Sequence, residues 1–181
     1  MKIWNKKNGV ILLVVVLLIT AFARCFAGKA GLPKAKGFEK YLNNTIQRVL
    51  DTKNIEVTDY NHDGNMITCN LAGVLYTAVV REGKVISLLA VLDYDLLSAF
   101  SGSKAEALTT MLLMPAAVFD SSYSTPKDLA MLMSTVQSYQ VENTAESTKC
   151  IYTNDGFEYS YTAGTYSGLF TGYMFQVRYI D

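Results

Sequence analysis

Histidine and tryptophan each occur once in this chain of 181 residues, and proline and cysteine three times each. The lone histidine, His62, leaves no second imidazole for an ordinary zinc site, and no serine sits in a nucleophile-elbow setting. Serine triads and zinc hydrolysis are therefore excluded. Phosphate-loop, dinucleotide-glycine and Cys-x-x-Cys patterns are missing as well, which removes the nucleotide-dependent and thioredoxin-like classes. Charge is sparse: 18% of residues are charged and the net charge is zero. With so little positive excess, no nucleic-acid partner is expected. Disorder is excluded on the opposite ground, since half of the residues are apolar and can build a core.

The longest apolar run is at the N-terminus, from Val10 to Ala23, behind Lys2, Lys6 and Lys7. It is about 14 residues long, short of the roughly 20 needed to span a hydrocarbon core as a helix. Small residues follow in the pairs Ala21/Ala23 and Cys25/Ala27, which completes the layout of a cleavable export signal. Residues 1–27 are thus read as a signal peptide or a membrane anchor. Arg24, Lys29, Lys34 and Lys36 favour retention as an anchor, because positive charge after an apolar run resists translocation. The stretch Lys7-Asn8-Gly9-Val10-Ile11-Leu12-Leu13 resembles the leader of type IV pilins and pseudopilins, and that resemblance implies a membrane-anchored structural or assembly component. Residues 28–37, with three lysines, glycines and a proline, read as a basic flexible linker.

Residues 38–181 are enough for a single domain with its own core. An exported domain with two cysteines, Cys69 and Cys150, invites one disulfide. It would close a loop of about 80 residues and contribute around 4 kcal/mol on the loop-entropy account. Two buried free thiols are the alternative.

Periodicity predicts a helix from Phe38 to Asp51, with Phe38, Tyr41, Leu42, Ile46, Val49 and Leu50 along one stripe. Strands are predicted at 55–60, 66–71, 74–80 and 85–92, the last so apolar that it reads as covered on both faces. The segment 96–119 is the candidate for that second cover, with a helix capped at Ser103 and ended or kinked at Pro115. Thr125-Pro126-Lys127-Asp128 opens another helix with a capping box. Three strands close the chain at 148–153, 157–162 and 170–180. The fold class is therefore α+β, an antiparallel sheet with helices packed on it. The order of elements suggests a duplicated α-β-β-β unit, with halves at 38–95 and 120–181 and a helical insertion between them. In that scheme Cys69 and Cys150 are equivalent residues near a pseudo-twofold axis.

Four features carry candidate chemistry. Asp93 and Asp95 alternate at a strand end, so both carboxylates share a side, as in acid-base pairs of small hydrolases. Asp59, Asn61, Asp63 and Asn65, with Gly64 at the sixth position, place oxygen ligands at alternate positions, and the segment resembles the calcium loops of EF-hand and dockerin-type proteins. Weak calcium binding is what that resemblance implies, with Asn70 where a bidentate glutamate is usual. The same residues also read as a hairpin turn on Asp63-Gly64. Tyr159, Tyr161, Tyr166 and Tyr173 belong to an aromatic-rich, charge-poor C-terminal region and suit a recognition surface for an envelope protein or a glycan. The expected function is that of an exported, non-catalytic binding module. The alternatives are an anchored assembly component and a small hydrolase using Asp93 and Asp95.

Overall fold

The computed structural model describes residues 31–139, 141–166 and 170–180, and Pro33–Asp181 forms one compact unit. The expected signal or anchor and the pilin-like stretch lie outside the described residues. Helix α1 (Phe38–Leu50) is followed by the meander β1 (Thr58–Asp63), β2 (Met66–Leu71), β3 (Val74–Arg81) and β4 (Lys84–Asp93). Three helices come next: α2 (Tyr94–Ser98), α3 (Ser103–Phe119) and α4 (Pro126–Ser138). A second meander ends the chain, with β5 (Val141–Asn143), β6 (Ser147–Asn154), β7 (Phe157–Tyr166) and β8 (Phe170–Tyr179). All eight strands form one antiparallel sheet in the order β1-β2-β3-β4-β8-β7-β6-β5.

That order makes the two meanders equivalent about the β4/β8 seam. Their second hairpins turn on Ala72-Gly73 and Asp155-Gly156, each with positive φ at both central residues, as type I′ turns require. Matching these turns sets Tyr76 beside Tyr159. The pairing Leu89↔Gln176 then lies on the pseudo-twofold axis, because Leu88↔Val177 and Ala90↔Phe175 flank it as mirror partners. The repeat unit is one helix followed by four strands. In the first half that fourth strand is the one expected at 55–60, while its counterpart β5 has only three residues, all exposed, and leaves no pattern in the sequence.

Directly opposed residues of an antiparallel pair share a face, so the register defines rows across the sheet. One row is Cys69–Tyr76–Ala90–Phe175–Tyr161–Cys150, and the next is Ile67–Ala78–Leu88–Val177–Tyr159–Tyr152. Most of these residues are buried, and the helices lie over them. Helix α1 contributes Phe38, Leu42 and Ile46, all fully buried, and α4 contributes Leu129, Leu132 and Val136. Between them α3 is buried along its whole second half, from Thr110 to Val118.

The other face of the sheet carries no covering element among the described residues. The expectation that β4 is covered twice is corrected: α3 packs on the same side as α1 and α4, and Leu89 and Val91 remain half-buried. Pro115 does not end its helix either, since α3 continues to Phe119. A proline there leaves the carbonyl of Met111 without its helical N–H. The Tyr76 hydroxyl donates to that carbonyl at 2.6 Å and so satisfies two buried groups at once. The capping box at α4 forms as expected: Thr125 accepts from the Asp128 N–H, and Asp128 accepts from the Thr125 N–H.

The expected basic linker is in part docked. Val85 N–H donates to the Pro33 carbonyl at 2.8 Å and Ala35 N–H to the Gly83 carbonyl at 2.9 Å, with Pro33 and Ala35 buried. Lys34 and Lys36 stay exposed on either side.

Candidate functional site

Cys69 and Cys150 do not pair; both are buried free thiols. They occupy opposite ends of one row, on β2 and β6, with β3, β4, β8 and β7 between. Five strand spacings at ~4.8 Å hold them roughly 24 Å apart. The assumed equivalence was also two residues out of step, since the turns match Cys69 with Tyr152 and Cys150 with Ile67. Burial, followed by the nearby Glu39 carboxylate, pushes the Cys69 thiol up to about 12. It stays protonated at neutral pH and is unsuited to nucleophilic attack.

Asp93 is the N-cap of α2: its Oδ1 accepts from Asp95 N–H at 2.7 Å and from Leu96 N–H at 3.4 Å. The sequence spacing that suggested a carboxylate pair is thus the spacing of a cap and its first-turn acid. Asp95 is exposed inside the helix, off the strand whose alternation would have set it beside Asp93.

The calcium-like segment lies mostly inside β1. Asp59, Asn61 and Asp63 are strand residues, and the hairpin turns on Gly64-Asn65, one residue later than Asp63-Gly64. A strand spreads alternate side chains about 6.8 Å apart along its length, where a calcium loop must wrap them around one point. Among the described residues, no three of His, Cys, Asp and Glu group in a way that could hold a metal ion.

The tyrosines divide. Tyr159 is 1% exposed and belongs to the core, with its hydroxyl hydrogen-bonded to Tyr123; burial, then the charges near it, raise its pKa. Tyr161 and Tyr173 come together, with near-parallel rings 6.4 Å apart at 15°. Tyr94 adds a third ring, 6.2 Å from Tyr173, and is 49% exposed. Tyr166 lies at the end of β7, where its side chain is outside the described residues. A second aromatic group runs from Tyr139, 53% exposed at the end of α4, through Tyr152 at 4.9 Å to the buried Tyr159. Tyr94 sits between Asp93 and Asp95 at the start of α2, and Tyr139 follows the last residue of α4, so neither falls in an aromatic-rich stretch of the sequence. Proximity across elements brings each to its partners, and no short-range pattern encodes that.

Two clefts accompany these surfaces. One of about 510 Å³ lies between α3 and α4, lined by Thr109, Leu113, Pro126, Ala130 and Met133, with Glu106 and Lys127 as its titratable groups. The other, about 800 Å³, is a shallow groove on the open face by Val79, Ile86, Gln176 and Arg178. Among the described residues no helix is long and apolar enough to cross a membrane. The chain matches no protein-family model, and comparisons with curated proteins and with solved structures find no match.

Proposed function

We propose that the chain is an exported, non-catalytic binding module that recognises an envelope protein or a glycan. The cluster Tyr94–Tyr173–Tyr161 carries this reading: three rings from three separate elements come together, Tyr161 stacked on Tyr173 and Tyr94 tilted at 37° to Tyr173, with Tyr94 half exposed. Tyrosine rings held this way offer contact area with little entropy left to lose on binding. The two carboxylates that favoured a hydrolase are accounted for by the cap of α2, which removes the motive for that alternative. Export rests on residues 1–27, acting as a signal peptide; retention of that segment would make the same module a tethered one.

The test is a pull-down from envelope fractions with wild type, Tyr94→Ala and Tyr173→Ala, alongside Tyr139→Ala from the second aromatic group. Loss of capture by Tyr94→Ala and Tyr173→Ala alone supports the reading, and equal capture by all four folded proteins sinks it. Mass measurement of the chain from its own host addresses export, because a signal peptide would be lost at about residue 23 to 27.

A further inference from the structure

Two departures from the internal symmetry meet at the β4/β8 seam, on the open face. The first is a β-bulge: β3 and β4 pair in step as far as Val79↔Ser87 and then shift to Val80↔Val85, so Ile86 has no residue opposite it. The matching pair β7/β8 runs from Phe157↔Tyr179 to Tyr166↔Phe170 without a shift, and the scaffold therefore does not require the bulge. Bulges of this kind re-aim side chains, often beside binding sites. The second departure is polarity. Ser87 and Gln176 stand where the pseudo-twofold sets Met174 and Leu89 in the other half, and Gln176 Nε2 donates to Ser87 Oγ at 2.9 Å. Apolar residues hold the equivalent places, so packing does not call for this polar pair.

The groove of about 800 Å³ opens at the same point, with Ile86, Ser87 and Gln176 in its lining. Ligand sites occupy roughly 300–1,000 Å³. Ser87 is 5% exposed, yet among the described residues its O–H has no acceptor and Gln176 Oε1 has no donor. Whichever way the carboxamide is turned, the pair keeps a donor and an acceptor unspent. Ser160, opposite Gln176 on β7, adds a hydroxyl that is 8% exposed and without a partner. Buried polar groups are ordinarily satisfied, so this cluster is short of hydrogen bonds that a ligand can supply.

We infer that this groove binds a neutral saccharide, held by hydroxyl groups on Ser87 and Gln176. The charges along the groove balance, since Glu158 holds Arg178 at 2.9 Å and Glu82 accompanies Arg81 in the lining. An ion of either sign gains no net attraction there. A hydroxyl both donates and accepts, and so it meets both unspent sides of the Ser87/Gln176 pair, which an ammonium or a carboxylate cannot do. Val79, 44% exposed, and the half-buried Ile86 provide an apolar wall for the C–H face of a sugar ring. The groove is shallow, so binding is weak and favours an oligosaccharide over a single ring. This site is separate from the tyrosine cluster, whose Tyr161 belongs to the row beneath the helices.

The test is capture of the full chain on an immobilised panel of neutral hexose and N-acetylhexosamine oligosaccharides, with uronic-acid and sulfated oligosaccharides as anionic counterparts. Wild type is expected to bind one or more neutral members and to prefer them over the anionic ones. Gln176→Leu, which carries the residue of its counterpart Leu89, and Ser87→Ala should each weaken that binding by about tenfold, as removal of a ligand hydrogen bond does. Denaturant unfolding confirms that both variants are folded. Met131→Ala, at an exposed position on α4, should bind as wild type does. Capture of no neutral member overturns the proposal, and so does equal or tighter capture of the anionic ones. Binding that survives both Gln176→Leu and Ser87→Ala also overturns it. If Tyr94→Ala removes such surviving capture, the glycan sits at the tyrosine cluster, which sustains the proposed function while rejecting this second site.

Discussion

Tyr76 and Tyr159 hold the same place in the two halves of the sheet, and each is buried, yet their hydroxyls find partners by different routes. Tyr76 reaches the Met111 carbonyl that Pro115 leaves free inside α3. Tyr159 pairs with Tyr123, a half-buried residue in the loop before α4. A buried hydroxyl must find some acceptor, but the helix layer that supplies it has no twofold symmetry, because α2 and α3 have no counterparts in a second copy of the unit. The inner face keeps the tyrosine pair but not the sizes around it, since buried Cys69 and Ala78 stand where the second half has half-buried Tyr152 and Tyr161. The outer face differs in polarity, and the polar connections differ wherever the helices do.

The largest expected effect tests the shared part of this comparison. Tyr76→Ala and Tyr159→Ala should each cost about 3–5 kcal/mol in denaturant unfolding, since each empties a fully enclosed ring site. A difference of several kcal/mol between them would break the equivalence of the halves.

Removing the hydroxyls alone sharpens the contrast. Tyr76→Phe should cost about 1–3 kcal/mol, because the Met111 carbonyl is left buried without a donor. Tyr159→Phe should cost less than about 1 kcal/mol, since the half-exposed Tyr123 can turn its hydroxyl to water. With Pro115→Ala the Met111 carbonyl regains a helical N–H, so the loss from Tyr76→Phe should shrink in that background, a coupling that a double-mutant cycle reads.

The helices that open the two halves differ in a smaller way. Helix α1 starts from Gly37 with no side-chain cap, whereas α4 has the Thr125/Asp128 box. Thr125→Ala should cost about 1 kcal/mol. The Thr125 hydroxyl is the main cause that holds the Asp128 carboxyl below its usual range, helped by nearby backbone N–H groups. A depressed folded value stabilises at neutral pH and loses that contribution as pH falls through it, so the gap between wild type and Thr125→Ala should narrow in acid. A gap constant from neutral to acidic pH would show that the box is not what holds α4.

The smallest effect lies in the matched turns, where Ala72 and Asp155 both take positive φ. Aspartate tolerates that region better than alanine. Ala72→Asn should therefore stabilise by about 0.5 kcal/mol and Asp155→Ala should destabilise by a similar amount, read as opposite shifts in Tm.

Much of the fold was legible because local signals agreed with the tertiary result. The α1 stripe and the capping box at α4 each depend on neighbours within a few residues. Candidate sites were less legible. Asp93 and Asp95 alternate as a catalytic pair would, but a helix begins between them and one caps it. Tyr159 and Tyr161 alternate onto one face, yet the first is enclosed beneath Tyr123 while the second meets Tyr173. Alternation tells which residues share a face and is silent on what lies above each.

The helix stripes, the α4 cap, most strands and the α+β class follow from the sequence by itself, since period and capping act over short separations where the chain has few alternatives. Only the tertiary structure decided that all helices cover one face and that the two cysteines stand at opposite ends of a row. Those outcomes depend on strand order and on where the helical insertion lands, both of which join residues far apart in the chain and leave no mark in any local window.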